Sequence, residues 1–323
     1  MNLITYVITR LLFRFLLPMI FFFAFGCGDE ANRIVVDFSD VVAAERPVEP
    51  PPVSPRIRVA VGAMISPRDT FIHYRQLLDY IGEKLGLETE LIQRKTYGEI
   101  NELFGKGAVH LGFVCSGPYA IGKERFGFEL LSVPQVYGSH FYQSYLIVRQ
   151  SSHIHSFEEL RDKVFAFSDP DSNSGKMVPT YWLAKMGERP ETFFSETIYT
   201  YSHDNSMLAV AKGLVDGASV DGLIWEYYQQ KNPIFTSKTR IIRKSEDYGI
   251  PPLVTSRNLS PELKERIRKL VLSMHLDPEG REILRELVID RFVEPQEAWY
   301  ASIRQMAREL AKMEKESLAL SKP

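Results

Sequence analysis

The chain has 323 residues, with Lys+Arg 39 against Asp+Glu 41 and a formal net charge of −2. That near-neutrality, with no basic stripe and no basic–aromatic alternation, argues against a nucleic-acid partner. Cysteine is scarce, Cys27 and Cys115 only, so modification of the first leaves no internal disulfide.

The N-terminus reads as a targeting segment, residues 1–27. Arg10 and Arg14 form a basic start, and Phe15 to Phe25 is an apolar run too short to span a bilayer comfortably. It ends at Gly26-Cys27. This ending resembles the lipobox of bacterial lipoproteins, which implies a lipidated Cys27 as the mature N-terminus. An uncleaved membrane anchor is the alternative; either places an exported protein, in the periplasm or at the cell surface, on a membrane. Residues 28–55 carry Pro47, Pro50, Pro51, Pro52 and Pro55 and read as a semi-rigid tether. About 265 residues remain, enough for two lobes with their own cores.

From Ile57 the pattern alternates strand and helix: strand Ile57–Ala63, helix Thr70–Leu85, strand Leu87–Gln93, helix Tyr97–Phe104, strand Val109–Cys115. Ser116-Gly117-Pro118-Tyr119 then opens a helix, with Ser116 as its cap and the proline early, where a missing N–H costs nothing. A second set begins with strand Tyr145–Arg149. Ser156 and Glu159 have capping-box spacing before a helix. Strand Val164–Phe167 leads into a polar turn and a further helix. Strand Glu196–Tyr201, helix Asp204–Lys212, strand Gly217–Val220 and helix Leu223–Gln230 follow. Lys238–Arg243 is an extended return, Leu253–Ser256 a strand of the first set, and three helices finish the chain at Pro261, Pro278 and Glu294. Short strand–helix–strand units give parallel sheets covered by helices on both faces. The expected class is therefore α/β. Residues 56–141 and 251–323 form one lobe and 142–250 an inserted one, with crossings near Gly138–Tyr145 and Arg243–Pro252.

Ligands of such sheets bind beyond the carboxyl ends of strands. Four polar loops fall there, holding Ser66, Ser116 with Tyr119, the turn Ser172-Asn173-Ser174-Gly175, and His203. A helix start gathers unpaired N–H donors and positive dipole, which suits an oxyanion. Ser172 and Ser174 add hydroxyls, Asn173 an amide and His203 an imidazole. Asp221, after the strand Gly217–Val220, would accept a proton from a protonated phosphoryl oxygen or a ligand amine.

Plainer roles stand beside these. Ser172 can be an ordinary cap, His203 a capping histidine, and Asp221 the cap of the helix at Leu223. Tyr119 and Tyr142 can be wall, and Cys115 reads as a buried structural thiol. His153 and His155 have no third ligand near in sequence, and Asp169-Pro-Asp171-Ser-Asn173 departs from a calcium loop at its glycine and glutamate positions. No nucleophile elbow, phosphate-binding P-loop or paired-cysteine site is present, so neither an enzyme nor a cofactor is expected.

Taken in order, Phe167-Ser-Asp-Pro-Asp-Ser-Asn-Ser-Gly with Val178-Pro179, Tyr201-Ser-His-Asp, and Ala211-Lys-Gly-Leu-Val-Asp-Gly-Ala-Ser-Val-Asp221 carry a family likeness. Gly117-Pro118 and Tyr142-Gln-Ser144-Tyr support it. The chain, from about Arg58 to Pro252, resembles the substrate-binding proteins of phosphate, phosphite and phosphonate ABC importers. The resemblance implies a type II periplasmic-binding fold of two αβ lobes, and capture rather than catalysis. It implies phosphonate oxygens held by Ser172, Asn173, Ser174 and His203, with Asp221 and Tyr142 as further contacts. Asn173 stands where threonine is commoner. The implied partners are a small phosphorus oxyanion, an inner-membrane ABC permease and, through the lipid anchor, a membrane; a monomer is expected. A sensor or accessory receptor of the same fold, without a transport role, is the alternative.

Overall fold

Residues 56–62 and 67–320 are described by the structure, a computed structural model. Cys27, the leader, the tether and Ser66 lie outside the described residues.

Three strands, β1 (Arg56–Val61), β2 (Glu88–Ile92) and β3 (Leu111–Phe113), run parallel. Helices α1 (Pro67–Leu85) and α2 (Tyr97–Gly105) connect them. Side chains of β1 alternate between two cores. Ile57, Val59 and Val61 pack with Leu77 and Ile81, whereas Ala60 packs with Ile100 and Phe104 on the opposite face. Burial on both faces explains why the strand reads as an unbroken apolar run. After α3 (Ser116–Phe126) comes β4 (Phe128–Gln135), and β12 (Leu253–Ser256) and β13 (Arg291–Val293) complete the six-stranded order β13-β4-β12-β3-β1-β2.

The second sheet has five strands in the order β10-β6-β9-β7-β8. These are β6 (Ser144–Arg149), β7 (Val164–Phe167), β8 (Glu196–Tyr199), β9 (Gly217–Asp221) and β10 (Thr239–Lys244). Helices α4 (Val178–Lys185), α5 (Pro190–Phe193), α6 (His203–Lys212) and α7 (Gly222–Lys231) lie between them in sequence. Again β7 is two-faced: Phe165 and Phe167 join an aromatic core with Phe193 and Phe194, and Ala166 packs with Met207 and Val210.

The strand–helix pattern predicts parallel sheets, but neither sheet is wholly parallel. β12 runs antiparallel to β3 and β4, and β6 antiparallel to β9 and β10. β6 and β12 follow the crossings and enter each sheet without a right-handed helical return, and β13, late in the chain, adds an antiparallel edge beside β4. The crossings themselves pair. β5 (Phe141–Tyr142) and β11 (Tyr248–Gly249) form an antiparallel ribbon, with Tyr142 opposite Tyr248.

Three local expectations are corrected. The capping box at Ser156 does not form; Glu159 accepts from the His155 amide (3.0 Å) and only a 3-10 turn, Glu158–Leu160, follows. A chain reversal at Asp162, in the left-handed region at φ 58°, must precede β7 and leaves room for one turn. The cap position of α3 is Cys115, without a side-chain cap bond, and the Ser116 hydroxyl is used elsewhere. The final helix starts late: β13 occupies Arg291–Val293, and a 3-10 turn, Glu297–Tyr300, leads into α10 (Ala301–Leu320).

Two further helices, α8 (Pro261–Ser273) and α9 (Pro278–Glu286), pack on the first sheet's lobe, with Ile267, Val271 and Leu284 in its core. By contrast α10 straddles. Its residues touch both α3 and α4, and Tyr181 of α4 donates a short hydrogen bond to Glu309. Met306 lies 3.6 Å from the hydroxyl of Tyr248 in the ribbon.

Candidate functional site

Because β2 and β3 are parallel neighbours of β1, the starts of α2 and α3 emerge at one edge of the first sheet. β7, β8 and β9 likewise send the Ser168–Gly175 turn and the starts of α6 and α7 to one edge of the second. These edges meet. The Tyr97 amide donates to Asp169 (3.1 Å), and Asn173 Nδ2 donates to the Tyr142 hydroxyl (3.0 Å), which also pairs with Ser116 Oγ (2.8 Å). The fit at α3 is close: a Cβ on Gly117 would stand 3.0 Å from the Asp171 carbonyl and 3.2 Å from the Asn173 amide.

The serine turn opens as a π-helical turn, Asn173–Met177, that continues into α4. Ser172 caps it, its Oγ accepting from the Gly175 amide (2.9 Å). Glycine is required at 175, since a Cβ there would sit 1.7 Å from Ser168 Oγ. Ser144 and Ser219 support the turn from below, both donating to the Ser174 carbonyl (2.7 and 2.9 Å). The Ser174 hydroxyl and Asn173 Oδ1 are buried and meet no protein partner. A buried hydroxyl left unbonded costs about 1–3 kcal/mol, so a donor held in this way is poised for a ligand acceptor.

Ser202 caps α6, and His203 is its first residue. The Asp221 amide donates to His203 Nδ1 (3.0 Å), leaving Nε2, 3.5 Å from the Tyr97 hydroxyl, as the N–H. Burial drives the imidazole pKa down to about 3, so the ring is a neutral donor. The Asp221 carboxylate caps α7 through Oδ1, which accepts from Leu223 N (2.8 Å) and Ile224 N (3.4 Å). Burial raises its pKa to about 7, against the pull of those two amides. Asp169 is raised to about 6 for the same reason.

Ser116, Tyr142, Ser172, Asn173, Ser174, Gly175, His203 and Asp221 are thus brought to the facing edges. Tyr119 is not among them. Its hydroxyl is spent on Glu297 (2.5 Å) and its ring packs edge-on against Tyr300. Three participants were not anticipated. Tyr97 and Asp169 join the lobes directly. Cys115, buried and raised to about 12 by desolvation, has its sulfur facing the Asn173 and Gly117 amides. Tyr97 follows a complete capping box, Thr96 with Glu99, at the end of β2, and the strand-end rule applied to that fifth loop would have found it. Among the described residues, the hydrogen bonds that join this cluster involve no Lys or Arg. Beside it lies a cavity of about 100 Å³ that shares Asp221 and is otherwise walled largely by apolar and tyrosine side chains.

Two αβ lobes, a paired double crossing and helix starts facing across the join define a type II periplasmic-binding architecture, the class built to enclose a small solute. Residues 59–300 match the family described as ABC transporter, phosphonate, periplasmic substrate-binding protein, and the chain belongs to that family. It is 31% identical over 134 residues to the phosphonates-binding periplasmic protein of Escherichia coli, covering 40% of this chain and 39% of that one. It is 24% identical over 209 residues to the phosphate-import protein PhnD of Mycolicibacterium smegmatis, covering 61% and 65%. The chain therefore spans less than two thirds of these curated relatives. Among solved structures, PhnD1 of Prochlorococcus marinus in complex with methylphosphonate superposes with a TM-score of 0.72 at 17% identity, over 80% of this chain and 98% of that one. A binding component of an ABC phosphonate transporter from Pseudomonas aeruginosa gives 0.71 at 22%, over 83% and 100%. At these identities the likeness shows the fold.

Proposed function

We propose that this protein is a membrane-tethered solute receptor that encloses a small phosphorus oxyanion (a phosphonate, phosphite or phosphate) between its lobes and presents it to an ABC permease. The observation that carries this reading is the buried group of neutral donors at the join: the unpartnered Ser174 hydroxyl, the neutral His203 Nε2–H and the amides of a helix start. Such a group holds oxyanion oxygens by hydrogen bonds without a matching cation, so the ligand is gripped and can still be released. The names of the relatives, which speak of phosphonates and phosphate import, support the same ligand class. Tethering rests on Cys27 alone. The protein acts by capture, with no catalytic step. Calorimetry with phosphate, phosphite, methylphosphonate and 2-aminoethylphosphonate tests the reading. Heat from at least one is expected, and silence from all four would remove it.

A further inference from the structure

A ligand that filled only the donor cluster would leave the neighbouring cavity empty. That cavity, about 100 Å³, lies between the first lobe's Tyr74 and Phe113, the second lobe's Ile224 and the C-terminal segment's Leu287 and Ile289. Among the described residues Asp221 is the only charged side chain on its wall. Asp221 also belongs to the donor cluster through its amide bond to His203, and Phe113 stands two residues before Cys115 on the same chain segment. Asp221 therefore borders both the donor cluster and the cavity.

The wall is held in unusual backbone. Tyr137 and Val288, both lining the cavity, have φ of 51° and 56°. A left-handed conformation is costly for a β-branched residue such as valine, and such outliers gather where a surface must keep a particular shape. For comparison, a dry cavity of about 150 Å³ lined by aliphatic and aromatic side chains accepts a benzene-sized molecule. Inorganic phosphate and phosphite bring nothing to occupy an apolar space, and unfilled walls forfeit their dispersion contacts.

Resting on the phosphorus-oxyanion reading above, we infer that the preferred ligand is an organophosphonate with an apolar alkyl substituent of about three or four carbons by the cavity size, seated between Tyr74, Phe113, Ile224 and Leu287. The substituent points away from the serine turn, and Asp221 stands at the junction of oxyanion and tail. An ammonium-bearing tail gains one carboxylate partner there but loses its hydration to apolar walls, so it ranks below an alkyl tail of similar length.

The test is calorimetry on the full-length chain in mild detergent, with phosphate, methylphosphonate, n-butylphosphonate, phenylphosphonate and 2-aminoethylphosphonate. n-Butylphosphonate is expected to bind at least about tenfold tighter than methyl- or 2-aminoethylphosphonate, since each buried methylene adds apolar contact, and the ring of phenylphosphonate, larger than the cavity, is expected to gain less. Leu287→Trp, which fills the cavity, should erase most of that advantage. If methyl- or 2-aminoethylphosphonate binds as tightly as n-butylphosphonate, the apolar subsite is overturned while the oxyanion reading stands. If none of the five binds and phosphite is silent as well, both fall. The wild-type series decides the matter even if Leu287→Trp does not fold.

Discussion

The Asp221 amide donates to His203 Nδ1 across 3.0 Å, and this one bond sets the chemistry of the imidazole. An acceptor Nδ1 requires the proton on Nε2, and burial keeps the ring from taking a second one. A histidine at the start of a helix thereby becomes a fixed, uncharged donor.

If that donor meets a ligand oxygen, His203→Ala weakens binding substantially. A hydrogen bond to a charged group contributes about 1.5–3 kcal/mol, so the expected loss in affinity is roughly tenfold to a hundredfold or slightly more. Titration with whichever oxyanion binds the parent provides the check. A histidine serving only as helix wall would leave Kd within about twofold.

Stability should depend on pH through two opposed groups. Asp221 is raised from 3.8 to about 7 in the fold, so the folded state holds its proton more firmly, and stability falls as pH rises through that window. His203 is lowered from 6.5 to about 3, so stability instead falls as pH drops below 6.5. Asp221→Asn retains a good helix cap and removes the first effect. The difference in Tm between Asp221→Asn and the parent should therefore grow in the variant's favour from pH 5 to pH 8. A difference constant across that range would refute the buried-carboxyl assignment.

Tyr142 and Asn173 should be energetically coupled. Asn173 Nδ2 donates to the Tyr142 hydroxyl, and Tyr142→Phe leaves that buried amide and the Ser116 hydroxyl with one partner fewer. A double-mutant cycle of Tyr142→Phe with Asn173→Ala, read by urea unfolding, should give a coupling of about 0.5–3 kcal/mol. Additive effects would mean that the contact contributes nothing.

Gly175→Ala places a methyl 1.7 Å from Ser168 Oγ and 2.8 Å from its Cβ. The turn must shift, at a cost of about 1–3 kcal/mol as for overpacking in a tight interior. Denaturant unfolding should report the loss, and oxyanion binding should weaken with it because the neighbouring amides move. Gly187→Ala is the contrasting control: nothing lies within 4 Å of its Cβ, and only the backbone penalty of φ +74° applies.

Cys27 carries the membrane claim. Metabolic labelling with a tagged fatty acid should mark the parent chain, and Cys27→Ser should abolish the label. A labelled Cys27→Ser chain would move the anchor elsewhere or dismiss it.

Much of this arrangement could be read from residue order because strands buried on both faces announce themselves. Val164–Phe167 and Leu253–Ser256 match their predicted limits, and the Ser172 cap lies where small polar residues interrupt two apolar segments. The misses share a cause. β4, which holds Glu129, Ser132 and Pro134 among its apolar residues, shows no clean period, because its pairing with β12 slips between Leu253 and Val254. The ribbon strands β5 and β11 are two residues each, too short for any period to show. Tyr119 misled for a different reason. A helix-start tyrosine one turn from a strand end looks like a ligand group until the 3-10 turn before α10, about 180 residues later, supplies Glu297 for its hydroxyl. Cys115 was placed correctly as buried, but only tertiary contact could bring the Asn173 amide to its sulfur.

Tyr142 belongs to two assemblies at once. As a residue of β5 it sits in the ribbon where the chain crosses between the sheets, paired with Tyr248; through its hydroxyl it meets Ser116 and Asn173 of the candidate site. If the lobes close on a guest by flexing at that ribbon, the fulcrum and the jaw are one piece of chemistry, and a guest that draws Asn173 toward itself pulls on the ribbon with no relay of intervening side chains.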